Sequence, residues 1–278
     1  CFKISVIKLI IKIFIFKLMQ QCFICNKSNF QFYCNVNHKK YIQCTDCNLI
    51  FVDVIESWDV LQHSYNGGFF KSLRRKLMLP FRSFNNHKNF DTLTHRADTI
   101  INFIQEENYN SPEKINFLDI GCNKGFLLAS AIKKSWNIYG IEVVDELLVA
   151  FRKHYKKFSS QAITGKINDF RLQFDNTYFD IITAIDVIEH LEDPAKEMQA
   201  IYNMLSPGGI FVIQTPDISC QQAIDEKEKW GALKPLEHLH LFSPKNLKTF
   251  AKKIGYKDVN YFPCFEEADG NFVAILKK

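Results

Sequence analysis

LDIGCNKG, residues 118–125, is the stretch of sequence that decides the fold of this 278-residue chain. It ends one apolar run and leads directly into another with helical spacing, which is typical of a strand–turn–helix unit. Gly121 and Gly125 predict a turn whose backbone can approach a bound ligand closely, because glycine lacks a Cβ. The next apolar strand, NIYGIEV (137–143), carries Glu142 near its end, 21 residues beyond Gly121. A carboxylate there can accept hydrogen bonds from both hydroxyls of a ribose.

The alternation of strands and helices continues to the end of the chain. Further apolar strands are QAITG (161–165), FDIITAIDV (179–187) and IFVIQTP (210–216), and KDVNYFP (257–263) and NFVAILKK (271–278) predict a closing hairpin. Helices begin at Asp193-Pro194 and Ser243-Pro244, where a capping side chain precedes a proline. Near-continuous apolar strands separated by helices predict a parallel sheet covered on both faces, with its ligand at the carboxyl ends of the strands.

The glycine turn does not have the pattern of a dinucleotide-binding enzyme. That pattern is Gly-x-Gly-x-x-Gly, whereas this chain has Asn123 and Phe126 at the second and third glycine positions. Asn adopts the left-handed backbone conformation more readily than other non-glycine residues, so Asn123 can keep the turn. The sequence therefore disfavours NAD as the ligand.

Composition and charge exclude several classes of protein. A hydrophobic fraction of 47% excludes a disordered chain. The net charge is +5, and four of the positive charges are lysines within the first 18 residues, so the remaining chain carries +1. A nearly neutral body argues against a protein whose main task is to coat nucleic acid.

Residues 1–18, CFKISVIKLIIKIFIFKL, form a segment of unusual composition. It starts with Cys, and a lysine interrupts it every four or five residues, so no uncharged run reaches the roughly 18 residues that a membrane span requires. Phe, Ile and Lys are the residues that A/T-rich codons produce. We expect residues 1–18 to be a non-native extension, translated from nucleotide sequence upstream of a true start at Met19. The alternative is that they form a basic membrane anchor.

Four of the nine cysteines form two Cys-x-x-Cys pairs separated by eighteen residues, at Cys22, Cys25, Cys44 and Cys47. This spacing is typical of a tetrahedral four-thiolate zinc site, and it indicates a reducing compartment. Short strands FQFYC, KYIQC and LIFVD predict a zinc ribbon, and Asn26 and Asn48 follow the pairs where a positive φ is favourable. We therefore expect a structural zinc ribbon over 19–52, a helical connector over 53–113 and the main domain over 114–278. We also expect a cytoplasmic location.

LDIGCNKG followed by Glu142 resembles the first two motifs of class I S-adenosylmethionine-dependent methyltransferases. FDIITAIDVIEHLEDP (179–194) and LSPGGIFVIQTPD (205–217) resemble their fourth-strand and fifth-strand motifs. WGALKPLEHLHLFSPKNL (230–247) is similar to a segment of a bacterial-type branch that often carries a four-cysteine module. The resemblance implies a Rossmann-like α/β fold: a mostly parallel seven-stranded sheet with helices on both faces and an antiparallel last strand. It implies methyl transfer from S-adenosylmethionine.

The resemblance also implies a set of cofactor-binding residues. Asp119 would fix the turn or accept a hydrogen bond from the amino group of the cofactor, Glu142 would hold the ribose, and Asp186 would line the pocket. Asn168 and Asp169 match the position that holds the adenine. Individually, Asp169 could instead cap a helix and Glu142 could be a surface charge. The full set is Asp119, Gly121, Asn123, Gly125, Glu142, Asn168, Asp169 and Asp186.

Histidines near the strand ends are the candidate catalytic residues, because histidine titrates near working pH. We expect His238 to act as a base, with His190 as the second catalytic candidate and His240 in a packing role. Asp186-x-x-Glu189-His190 also resembles the metal site of ubiquinone-pathway O-methyltransferases, which could hold Mg²⁺. The alternative, which we favour, is that His190 packs at a helix start and Asp186 only lines the pocket.

The sequence says least about the identity of the molecule that accepts the methyl group. Relatives of this layout favour a small molecule or a sugar or glycan, methylated on oxygen or carbon. One alternative is an RNA methyltransferase that docks through the zinc ribbon, and another is a non-catalytic S-adenosylmethionine-binding protein. We expect no nucleic-acid partner and, without residues 1–18, no membrane partner. The oligomeric state is left open.

Overall fold

The computed structural model describes residues 21–56, 60–61, 83–85, 89–107, 114–265 and 270–278. The predicted extension over 1–18 and most of the predicted connector lie outside these residues. No helix in the described ranges is both long enough and apolar enough to cross a membrane.

The described residues form two sheets and the helices that cover the larger one. The strands are β1 (Phe30–Val36), β2 (Lys39–Cys44), β3 (Ile50–Val52), β4 (Asn116–Ile120), β5 (Asn137–Glu142), β6 (Ala162–Thr164), β7 (Phe179–Ile185), β8 (Leu205–Pro216), β9 (His240–Leu241), β10 (Asp258–Pro263) and β11 (Asn271–Lys277). The α-helices are α1 (Phe90–Glu107), α2 (Phe126–Lys133), α3 (Asp145–His154), α4 (Ile167–Gln173), α5 (Pro194–Met204), α6 (Gln221–Glu226) and α7 (Pro244–Ile254).

The seven-stranded sheet has the order β10-β11-β8-β7-β4-β5-β6. The pairs β7–β8, β4–β7, β4–β5 and β5–β6 are parallel, and β11 is antiparallel to both of its neighbours. This confirms the predicted α/β fold and its antiparallel last strand. The chain runs outward from β4 in one direction through β5 and β6 and in the other through β7 and β8. The carboxyl end of β4 is therefore the switch point at which such sheets bind ligands.

The helix ends follow the predicted capping residues. The Asp193 side chain accepts a hydrogen bond from the Lys196 N–H, and Ser243 forms a capping box with Asn246. α7 ends at Ile254 and is capped by Gly255, which has a φ of 123°. The largest difference from a predicted strand boundary is at β8, which begins at Leu205 and not at Ile210. Leu205 already pairs with Phe179, and an irregularity in the register separates this pair from the pair of Ile181 and Ile210.

The smaller sheet has the order β1-β2-β3-β9, and its last strand comes from the main domain. β1, β2 and β3 are the three short strands predicted between and after the cysteine pairs. β9 pairs antiparallel with β3, so that Ile50 faces Leu241 and Phe51 faces His240. We call residues 21–56 the four-cysteine module. Its sheet is completed by a strand that is distant in sequence.

Candidate functional site

A cleft of about 510 Å³ opens at the carboxyl ends of β4, β5 and β7, with α1 along one side. This volume lies within the range of about 300–1,000 Å³ that is typical of small-molecule sites. Five of the eight predicted cofactor-binding residues line the cleft together with Gly165, Lys166 and His190: Asp119, Gly121, Asn123, Glu142 and Asp186. The switch point of the sheet is thus also its binding cleft.

The turn after β4 requires glycine for reasons of conformation and packing. Gly121, Asn123 and Gly125 all have positive φ values, of 71°, 49° and 78°. A Cβ on Gly125 would lie 2.4 Å from the ring of Phe151, and one on Gly121 would lie 2.5 Å from Val187. Asn123 adopts the left-handed conformation that the sequence predicts for it.

Glu142 ties the turn to the end of β5. Its Oε2 accepts a hydrogen bond from the Asn123 N–H at 2.9 Å, and its Oε1 accepts one from the Val144 N–H at 3.0 Å. Burial raises the pKa of this carboxyl, although the backbone hydrogen bonds oppose the shift. Each carboxylate oxygen can accept a further hydrogen bond, so Glu142 can hold the turn and also face a ligand.

Asp119 lies in β4, almost fully buried at the wall of the cleft. Its Oδ1 accepts a hydrogen bond from the Thr183 hydroxyl at 2.6 Å. Burial raises the pKa of Asp119 to about 7, and the nearby charge of Glu142 acts in the same direction. A buried carboxyl of this kind favours a cationic ligand, which would stabilise its charged form.

Asp186 follows β7 with a φ of 57°. Its carboxylate accepts hydrogen bonds from Gln214 Nε2 at 3.0 Å and from Arg96 Nη2 at 3.3 Å. Arg96 comes from α1 and also lines the cleft. No sequence pattern selects Arg96, because a single arginine on an amphipathic helix is usually a surface charge.

The structure places Asn168 and Asp169 differently from the other predicted cofactor residues. Both are exposed at the start of α4, and Asp169 Oδ2 accepts a hydrogen bond from the Lys166 N–H at 2.8 Å. Asp169 thus has the helix-capping contact that the sequence offered as its alternative role. Their contact with adenine stays a prediction.

Glu189, His190 and His238 lie together beside the cleft. Each offers one ligand atom, and these atoms all lie within 4.8 Å of one another. The two imidazole rings meet edge to face with centroids 4.9 Å apart. We call these three residues the histidine cluster. Its member on the cleft wall is His190, and His238 is buried behind it.

Backbone carbonyls fix the tautomers of both histidines. His190 Nδ1 lies 2.7 Å from the Glu237 carbonyl oxygen, and His238 Nδ1 lies 2.7 Å from that of Ala232. Because a carbonyl only accepts, each Nδ1 carries the proton and each Nε2 carries the lone pair. Burial lowers the pKa of His190, and it lowers that of His238 to about 3, so both rings are neutral at physiological pH.

Glu189 completes the cluster as a buried acid. Only 1% of the residue is exposed, and Oε2 accepts a hydrogen bond from the Thr215 hydroxyl at 2.9 Å. Oε1 is buried and has no hydrogen-bond partner among the described residues; it lies 3.8 Å from His190 Nε2. Burial raises the pKa of Glu189 to about 8, with the charge of Asp186 as the second cause.

The histidine cluster differs from the set predicted to hold Mg²⁺, because it contains His238 where the sequence suggested Asp186. Two imidazoles and one carboxylate are donors typical of transition metals, whereas Mg²⁺ prefers oxygen ligands. The unpartnered Glu189 Oε1 is compatible with a cation there. A metal at this site stays a prediction, as do the catalytic roles of His190 and His238.

The four cysteines form a second cluster, remote in sequence from the cleft. Their sulfur atoms lie within 4.8 Å of one another, with Cys22–Cys47 at 3.4 Å and Cys25–Cys44 at 3.5 Å. A tetrahedral zinc ion with Zn–S bonds of about 2.3 Å places sulfurs about 3.8 Å apart, so the cluster fits zinc. Asn26 and Asn48 have φ values of 59° and 60°, which confirms the expected turns after each pair.

The sequence profile of the family described as "Methyltransferase domain" matches residues 87–261 of this chain. The chain belongs to this methyltransferase family. With the fold described above, it is a class I S-adenosylmethionine-dependent methyltransferase, which confirms the resemblance seen in the sequence.

Solved structures share the fold of this methyltransferase. One is a SAM-dependent methyltransferase from Archaeoglobus fulgidus, with a TM-score of 0.52, 15% identity, and coverage of 80% of this chain and 100% of that chain. Another is magnesium protoporphyrin IX methyltransferase from Synechocystis with bound SAH, the demethylated cofactor, with a TM-score of 0.53 and 13% identity. It covers 79% of this chain and 99% of that one.

Curated relatives are more similar in sequence. The ubiquinone biosynthesis O-methyltransferase of Colwellia psychrerythraea is 28% identical over 153 residues, which cover 52% of this chain and 62% of the relative. The mitochondrial enzyme of that name from Saccharomyces cerevisiae is 30% identical over 115 residues, covering 40% of this chain and 36% of the relative. The methyltransferase thus spans less than two-thirds of the length of these relatives.

Proposed function

We propose that this methyltransferase transfers the methyl group of S-adenosylmethionine to a hydroxyl oxygen of a small-molecule acceptor. The observation that carries the proposal is His190, a neutral imidazole on the wall of the cleft whose Nε2 holds the lone pair. Methylation of a hydroxyl requires removal of its proton, and a histidine base performs this step near neutral pH. The O-methyltransferase names of the curated relatives support oxygen over carbon.

The cleft fits the cofactor through its charge and its backbone groups. S-adenosylmethionine is a cation that supplies the methyl group from its sulfonium sulfur. Asp119 and Glu142 place two buried carboxyls on the cleft wall, which is the charge that such a ligand requires. In this proposal the turn at residues 121–125 contacts the methionine part and Glu142 holds the ribose. Asp186 also lines the cleft and is held by Gln214 and Arg96.

His190 acts as the base in this proposal, and His238 acts behind it. His190 Nε2 accepts the proton of the acceptor hydroxyl while its Nδ1–H stays bonded to the Glu237 carbonyl. The remaining catalytic contribution is positioning, because methyl transfer is an in-line displacement that depends on alignment. The sequence favoured His238 as the base; the geometry supports His190 because it is the histidine on the cleft wall.

The proposal is tested with S-adenosylmethionine that carries an isotopically labelled methyl group and a panel of phenols, catechols, sugar nucleotides and short RNAs. The product is examined by mass spectrometry and by NMR, in which O–CH₃ and C–CH₃ groups have distinct chemical shifts. We expect a labelled O–CH₃ product from a phenol or catechol. A labelled C–CH₃ product, or methylation of RNA alone, would contradict the proposal.

We also propose that the four cysteines bind one structural zinc ion. The support is the near-tetrahedral spacing of the sulfurs and the small size of the module, which needs a metal to supply folding energy. Metal content measured on the purified chain should give one zinc per chain. Cys44→Ser should lose most of it, whereas Cys264→Ser, at a cysteine outside the cluster, should keep it.

A further inference from the structure

The segment 238–242 takes part both in the sheet of the four-cysteine module and in the histidine cluster. On one side it provides β9, the last strand of the sheet of the four-cysteine module. On the other side it carries His238 and runs beside the turn Ile188–His190, which holds the rest of the histidine cluster. A single stretch of backbone therefore joins the module to the cluster.

Contacts from the module to this segment are specific and buried. The Tyr41 hydroxyl donates a hydrogen bond to the His238 carbonyl oxygen at 2.8 Å, and Tyr41 has no exposed surface. The Val52 N–H donates to the Leu239 carbonyl oxygen at 3.0 Å. The His240 ring lies between Phe23, at a centroid distance of 5.3 Å, and Phe51, at 6.3 Å.

Contacts from the segment to the cluster are equally short. The Leu239 N–H donates to the Glu189 carbonyl oxygen at 2.7 Å, and His190 Nδ1 donates to the Glu237 carbonyl oxygen. The backbone on both sides of His238 is thus bonded to Glu189 and His190. A shift of the segment would move all three side chains of the cluster.

The cysteine cluster and Tyr41 are close in sequence on the same strand. Cys44 ends β2, three residues after Tyr41, and its partner Cys25 lies in the turn that leads to β1. A metal held by the cysteines fixes the end of β2, and with it the position of the Tyr41 hydroxyl. This gives a continuous path from the cysteines through Tyr41 to the His238 carbonyl.

We infer that the four-cysteine module positions the histidine cluster, with Tyr41 as the positioning residue. The catalytic meaning of this coupling rests on the proposed function, in which His190 and His238 act on the acceptor. The coupling itself is a property of the fold and is measurable without any acceptor. The module is thus a built-in support of the reaction site, where the sequence predicted only a structural zinc ribbon.

The variant Tyr41→Phe removes one hydroxyl and keeps the ring that packs in the core. The His238 carbonyl then lacks its buried donor, at a cost of about 1–3 kcal/mol, which corresponds to roughly five- to more than a hundredfold faster local opening. Tyr33→Phe is the matched control, because Tyr33 lies on the neighbouring strand β1 of the same module.

The measurements are amide hydrogen exchange, NMR of the histidine rings, zinc content and the affinity for S-adenosylhomocysteine. In zinc-loaded Tyr41→Phe we expect at least about fivefold faster exchange at residues 239–242 and 188–190. We also expect shifted ring signals of His190 and His238, with zinc content and affinity unchanged. The Tyr33→Phe control should match the unaltered chain in all four.

Removal of zinc from the unaltered chain with a chelator is the second arm, and it keeps the test decisive if Tyr41→Phe folds poorly. We expect faster exchange to extend from the module to residues 188–190. Exchange that rises only within residues 21–52, or histidine signals that do not move in Tyr41→Phe, would overturn the inference. Failure of the proposed function would be a separate outcome. In that case His190→Asn would keep full methyl transfer, while the exchange results would still be those expected here.

Discussion

The binding of S-adenosylmethionine should depend on pH through Asp119. Burial in the cleft wall raises the pKa of this carboxyl to about 7 in the unliganded chain. The cofactor is cationic, so it binds the charged carboxylate form and must displace the proton from the neutral form. The affinity should therefore rise with pH until Asp119 is ionised.

The magnitude follows from the pKa. At about pH 6 roughly nine-tenths of Asp119 is protonated and at about pH 7 half, so the dissociation constant should fall about fivefold between the two. This window stays below the pKa of the cofactor's own α-amino group, about 7.7–8.0. Calorimetric titration in two buffers with different ionisation enthalpies should also detect release of roughly 0.9 proton per cofactor at about pH 6.

The variant Asp119→Asn separates Asp119 from other groups that titrate nearby. It should bind the cofactor more weakly, and its dissociation constant should not change between the two pH values. Glu228→Gln, at an exposed carboxyl on the protein surface, should keep the fivefold dependence. An affinity of the unaltered chain that is independent of pH, or a dependence that survives in Asp119→Asn, would refute the reasoning.

Two further predictions concern stability. Gly125→Ala should lower the free energy of unfolding by at least about 2 kcal/mol in denaturant titration, because φ is 78° and the new Cβ would meet a ring at 2.4 Å. Gly231→Ala, where nothing lies within 4 Å of the added atom, should have a far smaller effect, and equal losses would contradict the packing described for the turn. Glu189→Gln should gain stability over the unaltered chain as pH rises. The folded pKa of Glu189, about 8, exceeds its unfolded value of about 4.3, so between these values unfolding releases a proton and the unaltered chain loses stability as pH rises. Melting temperatures of the two chains that change in parallel from about pH 5 to about pH 8 would show that Glu189 stays charged throughout.

Most of the fold could be predicted from the sequence because its signals are local. Strands of the large sheet are apolar on both faces, and the helices begin at capping residues that precede proline. The meeting of Asp119, Glu142 and Asp186 in one cleft could also be predicted, since they stand at or near the ends of the neighbouring strands β4, β5 and β7 around the switch point.

The parts that could not be predicted depend on contacts between distant residues. β9 has two residues and no pattern of its own, and its pairing with β3 spans almost 190 residues. Arg96 reaches the cleft only because α1 packs against α2, the helix that follows β4. His190 lines the cleft and His238 is buried because of the path that the chain takes after β8. Sequence spacing contains no information on that path.

The most direct test of the account is methyl transfer by His190→Asn compared with the unaltered chain, on the acceptor that the labelled panel identifies. The Asn side chain can keep the hydrogen bond to the Glu237 carbonyl but lacks the ring nitrogen that accepts the proton. His38→Asn, at an exposed turn of the module, is the control. Turnover of His190→Asn should fall by about 10²–10⁴-fold, while the affinity for S-adenosylhomocysteine stays within about twofold. Unchanged turnover, or an equal loss of turnover and affinity, would contradict a base at His190.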